Sequence, residues 1–561
     1  MLFLKLDNKR GSGMVLAFFT LMVLFAFGVS YISIASSSLV ASKRDVMRAR
    51  AIACAEAGVD KAISLIMTGE DPGNWRNHPE TAAPDDHSGD TLCTESLEVG
   101  ESYTVCARSG SGITTGKIIV TSIGTVTQGD VITTRTIKVV LDYRRENVSV
   151  WNNVIFGGVG QAGKSINGNV AIRGSIHLLG DGEEYTDTDS DGHWDDYELY
   201  TDSNSDGQYN LGETYTDNDG DGHRDSREPF VDVNGNGLRD PALTVTDMAE
   251  ELLGTANVGN NYNGMPIDLR SRIPNPPQVT YGGETVDSLS AKLRVKHGKV
   301  NISGSASVGT PDISGNTQKE TMDGVYVSDG FGGNKGSASV NSDNGYSNGY
   351  DLGDGVVTLP VIDSGAYTID GVTYSNYLAY LQANGTVYAG DLNVNKGTAL
   401  TISGPKGSLT IDAAGNMTIE GIVYVTGNIS FGPSKSRIIY EGSGTLVTPQ
   451  SSYIHCDLLP KTNFPMNDVL GLIAGDKIEL ATGGGDAQLT MALAMYAQHK
   501  VISNKQSEIA GTLVSSYYQM SNVPRIYQVP ELANHLPVGM PGRDPIWIMG
   551  VTIESWQEIP N

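Results

Sequence analysis

The chain reads as an α+β protein. One long N-terminal helix with an antiparallel β-sheet is followed by a mainly-β C-terminal region, read as a β-solenoid and interrupted by an array of acidic loops. Three observations predict this. Residues 11–42 hold no charged side chain and lead, without Pro, into an amphipathic stretch. Beyond Trp151 short runs of alternating apolar residues are separated by Gly, Asn and Ser. Between Tyr185 and Leu243 four blocks of 15 residues repeat one pattern. The implied division is 1–13, a short basic N-terminal segment; 14–67, the helix; 71–147, a β-meander; 151–180, a first solenoid part; 181–243, the loop array; and 244–561, the remaining β region.

The segment from Met14 to Ala35 is almost wholly apolar, enough to span a bilayer. It exceeds a secretory apolar region and lacks an A-x-A cleavage site, so a removed signal peptide does not fit. Lys5, Lys9 and Arg10 precede it, and Lys43, Arg44, Arg48 and Arg50 follow it, so flanking charge leaves its orientation open. From Ala41 to Met67 the only Gly is Gly58. There Val46, Ala49, Ile52, Val59, Ile63 and Ile66 recur at helical spacing and predict one buried stripe. A single helix over 14–67 would be roughly 80 Å long. After a polar, Pro-rich loop at 71–90, period-2 alternation predicts strands at Ser102–Ala107, Lys117–Ser122 and Val131–Tyr143.

The four blocks are YTDTDSDGHWDDYEL, YTDSNSDGQYNLGET, YTDNDGDGHRDSREP and FVDVNGNGLRDPALT. Each carries D-x-[DN]-x-[DN]-G, the ligand pattern of a calcium loop, with Gly at the sixth position for the sharp turn. The candidate Ca2+ ligands are Asp187, Asp189, Asp191, His193, Asp195 and Glu198 in the first loop, and Asp202, Asn204, Asp206, Gln208, Asn210 and Glu213 in the second. They are Asp217, Asp219, Asp221, His223, Asp225 and Glu228 in the third, and Asp232, Asn234, Asn236, Leu238 and Asp240 in the fourth. The seventh position offers its backbone carbonyl, so the imidazoles of His193 and His223 have no role. The fourth loop has Leu243 where the others close with Glu, and should bind most weakly. A solvated acidic linker is the alternative, but it would not need Gly four times at one place or a fixed period. Three residues between loops are less than a helical turn, which excludes EF-hand helix pairs.

Charge agrees with this reading. Residues 181–240 hold 19 Asp and Glu against 3 Arg, a net of −16 out of −26 for the whole chain. Without cations the block would repel itself. The same acidity argues against nucleic-acid binding.

The C-terminal runs include GNVAIRGSI (168–176), GKVNISGSASV (298–308), GSLTIDAAGNMTIEGIVYVTGNISF (407–431) and AGDKIEL (474–480). Gly at the corners and alternation within runs suggest stacked coils, with a β-sandwich as the alternative. A Gly/Asn/Ser-rich stretch at 323–355 reads as a mobile surface loop. No G-x-S-x-G, H-E-x-x-H or P-loop motif occurs. His455 and Cys456 read as an isolated pair, and Asp391, Asp412, Glu420, Glu441 and Asp457 are too widely spaced for paired-carboxylate catalysis. The chain is therefore read as a non-enzyme.

KRGSGMVLAFFTLMVLFAFGVSYIS followed by RARAIACAEAGVDKAI resembles the N-terminal region of PilX-like minor pilins of type IV pili, over about residues 1–150. The resemblance implies a prepilin peptidase cut after Gly11 or Gly13 on the cytoplasmic side. It also implies insertion in the inner membrane, export of the bulk of the chain, and assembly with other pilins through the pilus machinery. The fifth residue after either cut is Leu16 or Phe18 rather than the Glu of major pilins, a departure that some minor pilins share. The acidic blocks resemble thrombospondin type 3 and dockerin-like calcium loops, in which metals replace a hydrophobic core. The segment from Leu470 to Pro541 resembles the end of bactofilin-like solenoid domains. An exported chain meets oxidising conditions, so a Cys93–Cys106 disulfide is expected; with four cysteines, Cys54 and Cys456 included, three pairings remain open. The implied function is a calcium-binding, adhesive minor pilin of a pilus or pseudopilus, with a large β domain at the filament tip facing a surface or host ligand. The alternatives are a membrane-anchored surface adhesin and a polysaccharide-active enzyme.

Overall fold

The computed structural model describes residues 9–67, 91–109, 117–160, 165–166, 171–180, 186, 199–205, 208–211, 213–216, 229–230, 239, 251–252, 257–353, 355–520 and 524–559. The chain divides into two units: Met1–Glu146 with Trp547–Asn561, and Asn147–Ile546.

The first unit holds the helix Lys9–Met67 and a five-stranded sheet. Its strands are Thr91–Glu98, Glu101–Ser109, Ile118–Gln128, Val131–Asn147 and Trp547–Ile559, in that spatial order. The first four form the expected antiparallel meander. The fifth comes from the C-terminus, so the domain drawn as 244–561 ends at Ile546, and its last strand completes the sheet begun at Thr91. Arg135 near the start of the fourth strand pairs with Glu558 near the end of the fifth at 3.2 Å.

The helix splits where the sequence does. Gly13–Val46 is exposed throughout, and burial begins at Met47. The buried face is rotated from the expected stripe: Met47, Ala51, Cys54, Ala55, Gly58, Val59, Ala62 and Ile66 are buried, whereas Val46 and Ala49 are exposed and Ile52 and Ile63 flank the contact. Close approach of backbones explains the rotation. A Cβ on Gly124 would lie 2.0 Å from the Ala51 carbonyl oxygen, and one on Gly58 would lie 2.2 Å from Ser122 Oγ. Only small side chains allow that spacing, and Ile52 and Ile63 then pack at the margins. Ala62 and Ile66 share a cluster with Ile118, Val120, Ile137, Val139 and Leu141, while Met47, Ala51 and Cys54 meet Val126.

The second unit is built of short parallel strands stacked rung on rung. One column runs Val423, Leu446, Leu472, Met495, Leu513, Ile155, Ile176, Leu293, Val325, each paired in parallel register with the next. All nine are buried. Stacking like on like at about 4.8 Å removes every aliphatic face from water, roughly 1.5–3 kcal/mol for each side chain. The spatial order differs from the chain order. The chain enters mid-stack at Ile155, advances to Val325, and returns from the other end at Thr386 until Leu513 lies against Ile155. At the starting end of this second run an antiparallel hairpin, Leu400–Gly404 with Gly407–Ile411, pairs with Asn416–Val425.

The return segment spans the rungs from outside. Asp351 pairs with Arg294 at 2.9 Å, Tyr350 Oη lies 2.7 Å from His177 Nε2, Leu359 packs on Gly158, Tyr496 donates to the Pro360 carbonyl, and the Ile362 N–H donates to Gln498 Oε1 at 2.9 Å. The stretch at 323–355 is therefore no plain surface loop: it contains the strand Gly324–Val327, and Val325, Val327 and Leu352 are buried. Trp151, fully buried beside the join, donates to the Pro541 carbonyl at 2.7 Å.

Candidate functional site

Two regions carry functional predictions. The first is the N-terminal helix. Its apolar half exposes Met14, Leu16, Phe18, Phe19, Leu24, Phe25 and Phe27 with no partner among the described residues of the chain. The helix is long and apolar enough to cross a membrane. Gly11 and Gly13 both lie within it, since it begins at Lys9. In its packed half Lys61 pairs with Glu95 at 3.0 Å, and Arg50 pairs with Glu101. Glu95 is held below the usual carboxylate range by a hydrogen bond from Tyr103 Oη and by Lys61.

The second region is the loop array. Of its candidate ligands, Asp202, Asn204, Gln208, Asn210 and Glu213 are described, all in the second loop. The remainder lie outside the described residues: Asp187, Asp189, Asp191, His193, Asp195, Glu198, Asp206, Asp217, Asp219, Asp221, His223, Asp225, Glu228, Asp232, Asn234, Asn236, Leu238 and Asp240. Among the described residues no cluster of three His, Cys, Asp or Glu side chains is placed to hold a metal.

The second loop has a definite form. Glu213, its twelfth residue, folds back across it: one carboxylate oxygen accepts the Ser203 N–H at 2.7 Å and the other the Asn210 N–H at 2.9 Å. Both carboxylate oxygens of Glu213 are thus held by backbone N–H groups of the loop it belongs to. Block starts pair with each other. Tyr200 bridges Tyr215, with Thr201 N–H to Thr214 O and Thr216 N–H to Leu199 O at 2.8 Å each. Thr186 N–H reaches Pro229 O at 2.8 Å, which joins the start of the first block to the end of the third. Tyr209 stands edge-on to both Tyr200 and Tyr215, a small aromatic cluster inside an otherwise acidic block.

Cys93 and Cys106 lie on neighbouring strands. Thr91 is opposite Cys106 and Cys93 opposite Val105, with a bulge between Thr91 and Cys93. The Cys93 side chain lies outside the described residues. His455 is not isolated, contrary to expectation. Its Nδ1 lies 2.7 Å from Asp486 Oδ2, and Asp486 also accepts from Ser434 Oγ at 2.6 Å and Gly483 N at 2.7 Å. The hydroxyl's bond goes to the carboxylate and not to the imidazole, which is not the order that activates a serine. Burial pushes the Cys456 thiol up to about 12, away from nucleophilic use.

Sequence reasoning missed two structural contributors: the strand Trp547–Ile559 and the return segment around Tyr350–Ile362. WIMGVTIESWQEI shows an alternation that signals a strand, but nothing local names its partner.

No protein-family model matches the chain, and no curated protein matches it. Among solved structures it is similar to the crystal structure of the competence-associated pilin ComZ from Thermus thermophilus, with a TM-score of 0.46 and 15% identity over 91% of this chain and 97% of that one. A likeness this slight carries no argument about function.

Proposed function

We propose that the chain is a minor-pilin-like structural component of a type IV pilus or related pseudopilus. One observation carries this reading: a single helix leaves Gly13–Val46 exposed, largely apolar, and packs its remainder beneath an antiparallel sheet. An apolar stretch of that length in water is untenable. It suits first a bilayer and then the core of a helical bundle shared with other pilins. In this reading prepilin peptidase removes the leader after Gly11 or Gly13, and the inner membrane holds the precursor. The second unit, its rungs read as coils of a β-solenoid, is displayed at the tip, because a head so large would crowd a shaft. Its ligand lies on a surface or host.

The loop array in this reading holds Ca2+, which neutralises the block and supplies its organising contacts. The back-folded Glu213 supports it for the second loop. Cys93 and Cys106, on adjacent strands, form a disulfide in the exported chain. Intact-mass analysis of protein from sheared filaments tests the main proposal: a start at Ser12 or Met14 is expected, and a start still at Met1 would leave only a membrane-anchored adhesin. Non-reducing peptide mapping tests the disulfide, with free thiols at both positions as the contrary result.

A further inference from the structure

The sheet of the first unit ends, on one side, in two hairpin turns, Val99–Gly100 and Gly129–Asp130, with exposed aliphatic residues at and beside them. Val99 is fully exposed, and Ile132, Val131 and Leu97 are 67%, 55% and 45% exposed. Val99 sits on a turn, where polar residues are usual, and Leu97, Val131 and Ile132 are the strand residues next to the turns; exposed aliphatic residues gathered at one end of a sheet mark a contact surface.

Their position along the helix identifies the partner. The strand Ile118–Gln128 runs antiparallel to the helix: Ile118 packs with Ile66, and Val126 with Met47. Gly124 lies directly against Ala51 and Ala55. From Gly124 to the turn at Gly129 is about 16 Å of strand, equal to roughly eleven helical residues. The tips therefore stand level with about residue 42. That is where the charge-free run ends and Lys43, Arg44 and Arg48 begin. Thr127 N–H to Gly100 O ties the two turns together, so both tips share this level. Glu98 and Asp130 also flank the tips, which leaves the collar near neutrality and assigns the contact to apolar insertion rather than to charge.

We infer that these tips dip into the headgroup–acyl boundary of the bilayer that the helix crosses, so the first unit rests on the membrane as well as being anchored in it. The tips stand level with the end of the charge-free run of the helix, and a shallow apolar wedge beside a span is a favourable interfacial arrangement. The inference rests on the reading that the apolar segment beginning at Met14 spans a bilayer.

The test uses the full chain in phosphatidylethanolamine–phosphatidylglycerol vesicles containing a shallow doxyl-labelled lipid. An environment-sensitive fluorophore is placed at Val99→Cys or Ile132→Cys, with the unsubstituted chain as background for native thiols. A label at Phe25→Cys, read against a deep doxyl lipid, reports anchoring separately. A label at Thr552→Cys, on the exposed last strand away from the turns, is the control. Loss of emission and a blue shift at Val99 and Ile132, but not at Thr552, is the expected result. With Phe25 quenched, water-like emission at Val99 and Ile132 would overturn the inference and leave the tips to a neighbouring subunit. Equal quenching at Thr552 would overturn it too, since the contact would not be specific to the turns.

Discussion

The small sheet and the stacked unit build ladders from opposite uses of sequence distance. In the sheet, three of the four steps join consecutive strands, two of them through the turns at Val99–Gly100 and Gly129–Asp130, and only the last reaches across the chain. In the stack, apart from the hairpin at Leu400–Ile411, the parallel steps join segments well separated along the chain, and one, Leu513 on Ile155, joins the two ends of the unit. Hairpin register follows from a turn and an alternation. Parallel register follows only from contacts between distant segments. The first is consequently local and separable, and the second makes the whole stack one cooperative object.

The sharpest way to break that comparison is at the join. Phe156 is fully buried there, opposite Val514 and His177. Phe156→Ala should cost about 3–5 kcal/mol and lower a single thermal transition of the stacked unit. Two separate transitions would show that the runs on either side of the join fold independently. In the first unit the corresponding break is Gly124→Val, which drives a side chain into the helix backbone at Ala51. A loss of roughly 1–3 kcal/mol is expected, seen as faster hydrogen exchange over Ala51–Ile66 with the stack unchanged.

The third prediction concerns acid. Burial, with Arg294 and Lys296 nearby, pushes His177 down from the ordinary imidazole value to about 3, and its Nδ1 has no hydrogen-bond partner. The unfolded chain takes up this proton more readily than the folded one. The associated stability is whole above about pH 6.5 and drains away as pH falls towards about 3, by about 2 kcal/mol between pH 7 and 5. His177→Gln should flatten that part of the stability profile, measured by denaturant titration against pH. An unchanged slope would mean that water or movement of the return segment already relieves the imidazole. The smallest effect belongs to the loop array. Glu213→Gln should weaken calcium uptake about tenfold, or about 1.4 kcal/mol, in calorimetry of the full chain; equal uptake would show that Glu213 is only a structural acceptor.

Several features were legible from residue order because their physics is local. The charge-free run, the helix through Met67, the strands Glu101–Ser109, Ile118–Gln128 and Val131–Asn147, and the fixed loop period all declare themselves within a few turns or rungs. The first strand, Thr91–Glu98, was harder, because TLCTESLE mixes polar and apolar residues without clean alternation. The helix stripe was right at Val59 and Ile66 but included the exposed Val46 and the marginal Ile52 and Ile63, because hydropathy weights Val and Ile over Ala and Gly. The contact at Gly124 selects for small size, so Ala51, Ala55 and Gly58 face the sheet.

By itself, then, the order of residues determined what each segment is: an apolar rod, alternating strands, turns and carboxylate-rich loops. Only the tertiary structure decided which segments meet. It set Trp547–Ile559 beside Val131–Asn147, Leu513 beneath Ile155, and Asp351 against Arg294. A strand edge offers the same N–H and C=O groups to any partner, and an aliphatic rung the same surface. The choice among partners is made by the sum of many distant contacts, and no single stretch of sequence records that sum.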